Sequence, residues 1–467
     1  MSKSRQLAKN TLIIGFGKFA SQFIGFFLLP LYTHFLLPEQ YGTVDLIMTY
    51  AALLAPFIAL QLDRGAFRHL IDVRGSIKES AKVISNTLRL VLYSLIISFA
   101  LVLVTSLFID IPYLLMIVAV VVSILFANLF MQFARGLGDN IAYAITSVVM
   151  AVTMISTVTW LVVFAGRGVM GVLVSLTATN IIAAIFLFAK LRLHRYISTK
   201  NSDRKLQIEL LRFSLPLVPS AISWWVIQAA DRSIISIFLG VASAGIYAAA
   251  NRYAMILHAF SAIFDLSWNE SASLHINSKD RDKFFSKVYN TSFRLFATMG
   301  LLLIAVTPFV FHIIIGDQFQ AAQLLVPIIV TGVFFQSIVS QYSVIYIAKK
   351  ITKQVLITSL SAATISLILN LVLIHWIGLY AAPIAMLVAF FVIAVWRHFD
   401  IKKYVKITFT NGLFIKLALL YAIILILYYF NNFYINIINL GIAALSFWLM
   451  SRQPAIAIGK ALLRKIS

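Results

Sequence analysis

The chain has 467 residues, 61% hydrophobic and 12% charged, where a soluble domain has roughly 45–50% and 25%. That composition excludes a soluble globular protein and fits a polytopic membrane protein. There is no cysteine, which excludes disulfides and cysteine-held metals, and the formal charge is +22, from 38 Lys and Arg against 16 Asp and Glu.

The first residues, "MSKSRQLAKNTLIIGFGKF", are basic and then apolar. No small-residue cleavage site follows a short apolar core, so an uncleaved first helix is expected rather than a signal peptide. Apolar runs of about 20 residues then recur along the chain. They predict fourteen spans, at residues 11–36, 43–62, 84–108, 112–135, 141–164, 169–189, 213–239, 244–264, 291–315, 322–348, 354–374, 376–396, 411–430 and 433–450. With the N-terminus inside, 32 of the 38 Lys and Arg fall in the two tails and the even-numbered connections, Arg397 among them. Only Arg167 falls in an odd-numbered one. This asymmetry follows the positive-inside rule and places both termini in the cytoplasm. Topology therefore accounts for the net charge, and nucleic acid is not expected as a partner.

Every odd-numbered connection is short, as in "LPEQYG", "AGRG" and "GDQFQA". A membrane glycosyltransferase or polymerase would need a large outer loop with paired acids, and none is present. No metal-ligand spacing, phosphate-cradling glycine loop or nucleophile triad occurs. His34, His258 and His375 are scattered and read as packing or interfacial residues. Transport is expected, with no enzyme activity, cofactor or metal.

The chain also repeats itself. A displacement of 203 residues lays "FLLPEQYGTV" (from Phe35) on "FLGVASAGIY" (from Phe238), and Gly42 meets Gly245. A displacement of about 210 brings Gly168 to Gly378. Spans 1–6 and 7–12 then read as two copies of one orientation, a parallel repeat about an axis along the membrane normal.

The same stretches resemble a family. "LLPLYTHFLLPEQYG" (Leu28 to Gly42) is similar to the first hairpin of the bacterial polysaccharide transporters, the Wzx-type flippases of the multidrug/oligosaccharidyl-lipid/polysaccharide exporter superfamily. The match lies in Pro30, Leu36, Pro38, Glu39, Tyr41 and Gly42. "AADRSIISIFLGVASAGIYAAANRY" resembles the seventh and eighth spans through Asp231, Arg232, Leu239, Gly240, Gly245, Ile246 and Tyr247. A third match carries Lys349, Lys350, Asn370 and Gly378. One departure is the N-terminal copy, which has Leu28 and Leu29 where the second copy has its Asp-Arg pair.

The resemblance implies an all-α membrane protein of about fourteen helices with two six-helix lobes, residues 1–205 and 206–400, and two extra helices in 401–467. It implies a flippase moving undecaprenyl-pyrophosphate-linked oligosaccharide to the outer leaflet by alternating access, for O-antigen, capsule or exopolysaccharide. The setting would be the bacterial cytoplasmic membrane. The partners would be the lipid-linked substrate, membrane lipids, a polymerase and a chain-length regulator. A lipid II or teichuronic-acid-type exporter shares the same layout. A cation-coupled multidrug exporter is a further alternative, but it would favour an acidic cavity.

Five basic residues fall inside spans: Lys18, Arg89, Arg232, Arg252 and Lys416. Arg89 and Lys416 are within reach of the inner interface by snorkelling. Arg232 and Arg252 each lie ten residues from Ala242, taken as the centre of the connection, which puts them at one depth. Asp231 and Arg232 point about 100° apart and do not face each other, so Arg252 is the expected partner of Asp231. Arginine suits phosphate oxygens, hence Lys18, Arg232 and Arg252 are expected to receive the pyrophosphate. Gln22, Gln61, Gln228 and Asn251 are expected to bind sugar, with Trp224, Trp225 and Tyr253 nearby. Asp231 serves as coupling acid or ion-pair partner, since a buried carboxylate can titrate near neutral pH. Arg64, Arg68, Asp265 and Glu270 are expected to form a cytoplasmic gate, and Asp45 to be solvated at the outer edge.

Overall fold

The computed structural model describes residue 25 and residues 27–198, 202–349, 351–410, 412–430 and 432–466. Among the described residues the regular structure is helical and no strand occurs. Nine helices among the described residues are long and apolar enough to cross a membrane, one of them two helices run together as Lys353–Ile401. Each expected span after the first falls on a helix. The chain divides into two compact units, Met1–Ala230 and Asp231–Ser467.

In the first unit, α1 (Pro38–Ile58) opens with proline at its first position, where no amide donor is needed. Pro56 then removes a donor near its end, and Leu60 and Gln61 adopt left-handed backbone. The amphipathic α2 (Leu62–Asp72) follows at once. Ser76 caps α3 (Ile77–Ser106) by accepting from the Glu79 amide. α4 (Leu114–Leu137) ends at Gly138 in the left-handed region, and Asp139 caps α5 (Asn140–Val158). A π-turn leads to α6 (Gly168–Lys190). α4 packs against α6 and α2. A Cβ at Gly136 would lie 2.7 Å from that of Leu70, so only glycine permits this approach.

The segment that follows is tied back to α3. Ser85 donates to Tyr196 O at 2.7 Å, and Asn86 Oδ1 accepts from the Asp203 amide and the Gln207 side chain. α7 (Arg204–Ser214), capped by Asp203, packs on α2 where Gly65 meets Ser214. α8 (Leu217–Leu239) crosses the boundary between the units.

The second unit continues with α9 (Val241–His275), α10 (Arg281–Ile314), α11 (Gln320–Ala348), α12 (Thr352–Ile377), α13 (Ala381–Ile401), α14 (Leu413–Tyr429) and α15 (Phe433–Ile466). Shifted by 203 positions, Pro38–Asp72 falls on Val241–His275 end for end. The shift has grown to 213 where Gly168 falls on Ala381. The repeat read in the sequence is thus repeated in the helix bounds. The copies differ at Pro56, where the second has Ala259: α9 runs unbroken while its counterpart splits into α1 and α2.

The link from α13 to α14 is laid along α10. Asp282 accepts from the Lys406 amide, Ser286 from the Thr408 amide and Asn290 from the Thr410 amide. Asn290 also donates to Thr408 O, and Arg294 to Thr410 Oγ1. Four helical residues rise about 6 Å and two extended residues about 6.6 Å, so every second link residue meets every fourth helix residue.

Two expectations are corrected. Arg397, counted with a connection, belongs to α13 and is 1% exposed. α13 runs five residues past the expected end of that span, because the guanidinium finds its acceptors inside the unit. It donates to Thr358 Oγ1, Val339 O, Val355 O, Ser343 Oγ and Ser359 Oγ. Asp45, expected in solvent, is buried at 6% exposure, since α1 begins at Pro38 and places it two turns inside the helix.

Candidate functional site

The candidate site begins where α8 enters the second unit. Ile234 packs with Ile374 and Ala381, with Leu239, Leu367 and Leu373 around them. Phe238 sets its ring against His375, centroids 5.0 Å apart. This apolar seam fixes α8 on α12 and brings Asn370 to Asp231, where Nδ2 donates to Oδ1 at 3.1 Å. Gly240 (φ +87°) lets α9 start at the next residue. Tyr247, under two turns in, then donates its hydroxyl to Asp231 Oδ2 at 3.3 Å. One carboxylate thus ties three helices, each oxygen held from a different one.

Asn370 and Tyr247 are buried, at 0% and 2% exposure. Asn251, one turn beyond Tyr247 on the same face of α9, is also buried. The carbonyl oxygens of Asn370 and Asn251 have no hydrogen-bond donor. Asp231 is thus held by two neutral donors, and a buried carboxylate so placed can take up a proton in place of losing its solvation. Among the described residues no group of three His, Cys, Asp or Glu could hold a metal.

The turn at Gly240 lies two residues before the expected centre at Ala242. Arg232 is eight residues before it and Arg252 twelve after, so Arg252 sits about 6 Å deeper. Level with Asp231 is Tyr247, which sequence reasoning left without a role, as it did Asn370. Both stand in the quoted stretches, but nothing in the local pattern joins residues 139 positions apart. Arg232 and Arg252 are both half-buried in their helices.

Lys18 and Gln22 lie outside the described residues, as do the side chains of Gln228, Glu270 and Trp224. Trp225 donates Nε1 to Thr49 O at 2.6 Å and packs on Tyr50. Tyr253 is buried and hydrogen-bonded to Thr307. Arg64 is exposed on α2, and Arg68 pairs with Asp72 one turn on. Asp265 belongs to a second polar cluster, at the other end of α9. Its Oδ2 accepts from Ser340 of α11 at 2.6 Å, and its Oδ1 is buried without a partner.

Gln61 is 2% exposed in its left-handed turn, with Oε1 buried and unpartnered. Asp63 follows, outside the spans. Burial pushes its carboxyl above the ordinary carboxylate range, while the backbone amide and charge of Arg64 pull it back. A group that binds its proton more tightly when folded loses stability as pH rises through that range, and the loss levels off above its folded pKa. Asp63→Asn is therefore expected to raise Tm at pH 7 relative to Tm at about pH 4, which changes the gap between them. An unchanged gap in the variant would contradict this account.

The model of the family described as "Polysaccharide biosynthesis protein" matches residues 7–268, more than half of the chain. The chain belongs to that family. No curated protein matches the sequence significantly. Among solved structures, the fold is similar to "Lipid II flippase MurJ, inward closed conformation", with TM-score 0.68 and 17% identity over 97% of this chain and 100% of that one. It is also similar to a "multidrug resistance MATE family transporter of the MOP superfamily" in an inward-facing conformation, with TM-score 0.62 and 16% identity over 82% and 95%. At these identities the likeness is one of fold. The family member is thus a multi-pass membrane protein with a transporter fold.

Proposed function

We propose that this protein is a flippase for undecaprenyl-pyrophosphate-linked oligosaccharide, carrying repeat units from the cytoplasmic to the outer leaflet by alternating access. The observation that carries the reading is the pair Arg232 and Arg252, set inside two consecutive helices, expected as spans seven and eight from the sequence, in a family member that shares over 97% of its length the fold of a lipid flippase. A charge in a span costs about 2.5–3.5 kcal/mol on insertion scales, so two arginines there need a use. A pyrophosphate crossing the bilayer supplies one, since guanidinium groups match its oxygens. A carrier of cationic drugs would be served by acids instead. Asp231 is the coupling acid, held by Asn370 and Tyr247. Lys18, Gln22, Gln61, Gln228 and Asn251 contribute further substrate contacts. Arg64, Arg68, Asp265 and Glu270 lie toward the cytoplasmic side, with a polymerase and a chain-length regulator as downstream partners.

The test is uptake of labelled lipid-linked oligosaccharide into inverted vesicles, with lipid II as the competing substrate. Arg232→Ala and Arg252→Ala are each expected to cut the initial rate by at least tenfold, a loss of one charge-assisted contact. Full activity in both variants would remove the arginine pair from the substrate path. Preference for lipid II would move the protein to the other exporter class.

A further inference from the structure

One face of α9 carries Tyr247, Asn251, His258 and Asp265, at steps of four, seven and seven residues. A seven-residue step drifts only about 20° around an α-helix, so these side chains form one stripe about 27 Å long. At one end Tyr247 is bonded to Asp231 at 3.3 Å, and at the other Asp265 is bonded to Ser340 at 2.6 Å. Between them Asn251 Oδ1, His258 Nδ1 and Asp265 Oδ1 are all buried with no hydrogen-bond partner. Three such atoms on one face of one helix are at odds with a face selected for packing alone. Groups of this kind are what internal water satisfies.

We propose that this stripe is a proton path through the second unit, with Asp231 and Asp265 as its terminal carriers and His258 as the relay. It rests on the reading of Asp231 as the coupling acid and deepens it. A proton on Asp231 passes to the Tyr247 hydroxyl as that hydroxyl hands its own proton to water beside Asn251. Water delivers a proton to His258 Nδ1, and the imidazolium releases one from Nε2 toward Asp265. Only O–H and N–H bonds form and break; Asp231 regains a proton from water at its end, Asp265 releases one to water at the other, and the neutral imidazole turns or exchanges protons with water to recover its starting tautomer. Steps of about 10 Å separate Asn251, His258 and Asp265 along the helix, a gap that about three waters in file would bridge.

The charged and titratable groups on the neighbouring elements leave the stripe its own carriers. α8 contributes Arg232, and α9 itself has Arg252, Tyr253, Glu270 and His275. α10 has Tyr289 and Arg294, with Arg281, Asp282, Lys283 and Lys287 clustered at its start. α11, which packs along α9, has no Asp, Glu, Lys, Arg or His and offers only Tyr342 and Tyr346. Tyr342 is engaged with His398 and Tyr346 with Asp400.

The experiment places the full-length protein in liposomes with an internal pH dye, imposes a pH gradient with the potential clamped, and adds no substrate. A protein-dependent proton flux is expected, reduced at least tenfold in His258→Leu and in Asp265→Asn and largely kept in Asp265→Glu. Wild-type flux no greater than that of empty liposomes, or full flux in His258→Leu, would overturn the proposal. A second measurement follows the His258 imidazole by nitrogen-15 NMR in the wild type and in Asp265→Asn. Its midpoint is expected to move by about half a pH unit or more when the carboxylate is removed, and an unmoved midpoint would equally overturn the path. Neither readout involves lipid-linked sugar. An intact proton flux in a protein that moves no oligosaccharide would therefore count against the substrate reading alone.

Discussion

Arg397→Ala is expected to destabilise the protein by about 3–5 kcal/mol, the equivalent of about two hydrogen bonds to a charged group. Tm should fall by about 3–5 °C for a chain of this length. The guanidinium is 1% exposed and touches no carboxylate. Its charge is spread over the hydroxyls of Thr358, Ser343 and Ser359 and the carbonyls of Val339 and Val355. Its face also lies toward the Tyr346 ring, 5.9 Å from the centroid. Tyr346 in turn donates to Asp400, which Lys403 holds from the other side. Removing the side chain strips donors from α11 and α12 together and leaves their acceptors buried, which costs more than the bonds themselves contribute. Arg397→Lys keeps the charge but loses the planar fork, so it should fall between alanine and wild type. Thermal unfolding in detergent reads the series. A Tm for Arg397→Ala within about 1 °C of wild type would show that the cage does not hold the three helices.

The second large effect is on transport. Asp231→Asn is expected to lower gradient-driven transport by about 5–150-fold, the range of coupling free energies between linked sites. Its Tm should be unchanged or slightly higher. The amide keeps an oxygen for Tyr247 or Asn370 to donate to, while the cost of burying a charge disappears. Loss of activity with retained stability separates a coupling role from a structural one. The comparison is made in inverted vesicles with and without an ionophore. Wild type should respond to collapse of the gradient and the variant should not. A variant that still responds would leave Asp231 as a structural tie between α8, α9 and α12.

Much of the fold was legible in the sequence. Each later expected span falls on a helix. A bilayer leaves a spanning segment no way to satisfy its backbone except within itself, so length and hydropathy suffice to find it. The repeat was legible for a related reason, since Gly168 and Gly378 both adopt left-handed backbone where the fifth and sixth spans of each copy join. The stripe on α9 was also open to reading: Asn251, His258 and Asp265 are seven apart in an otherwise apolar helix. Taken singly, the histidine reads as a packing residue and the acid as part of a gate. What failed was the placement of single polar groups. A charge ends an apolar run, so hydropathy alone leaves Arg397 in a connection, and it starts the span of Asp45 five residues late, which leaves that acid in solvent.

The sequence by itself determined the membrane class, the helices, the repeat and the family, because all of these are written in local hydropathy and in short motifs. Only the tertiary structure decided what each buried polar group meets. Asp231 is partnered by Asn370, which is 139 residues away, because an apolar seam aligns α8 with α12. It is partnered by Tyr247 because the chain turns at Gly240 and not two residues later. Arg397 finds its acceptors on two other helices, and Asp265 meets Ser340 on a third. Helix formation depends on neighbours a few residues along the chain, whereas the pairing of a buried charge depends on which faces of distant helices pack together.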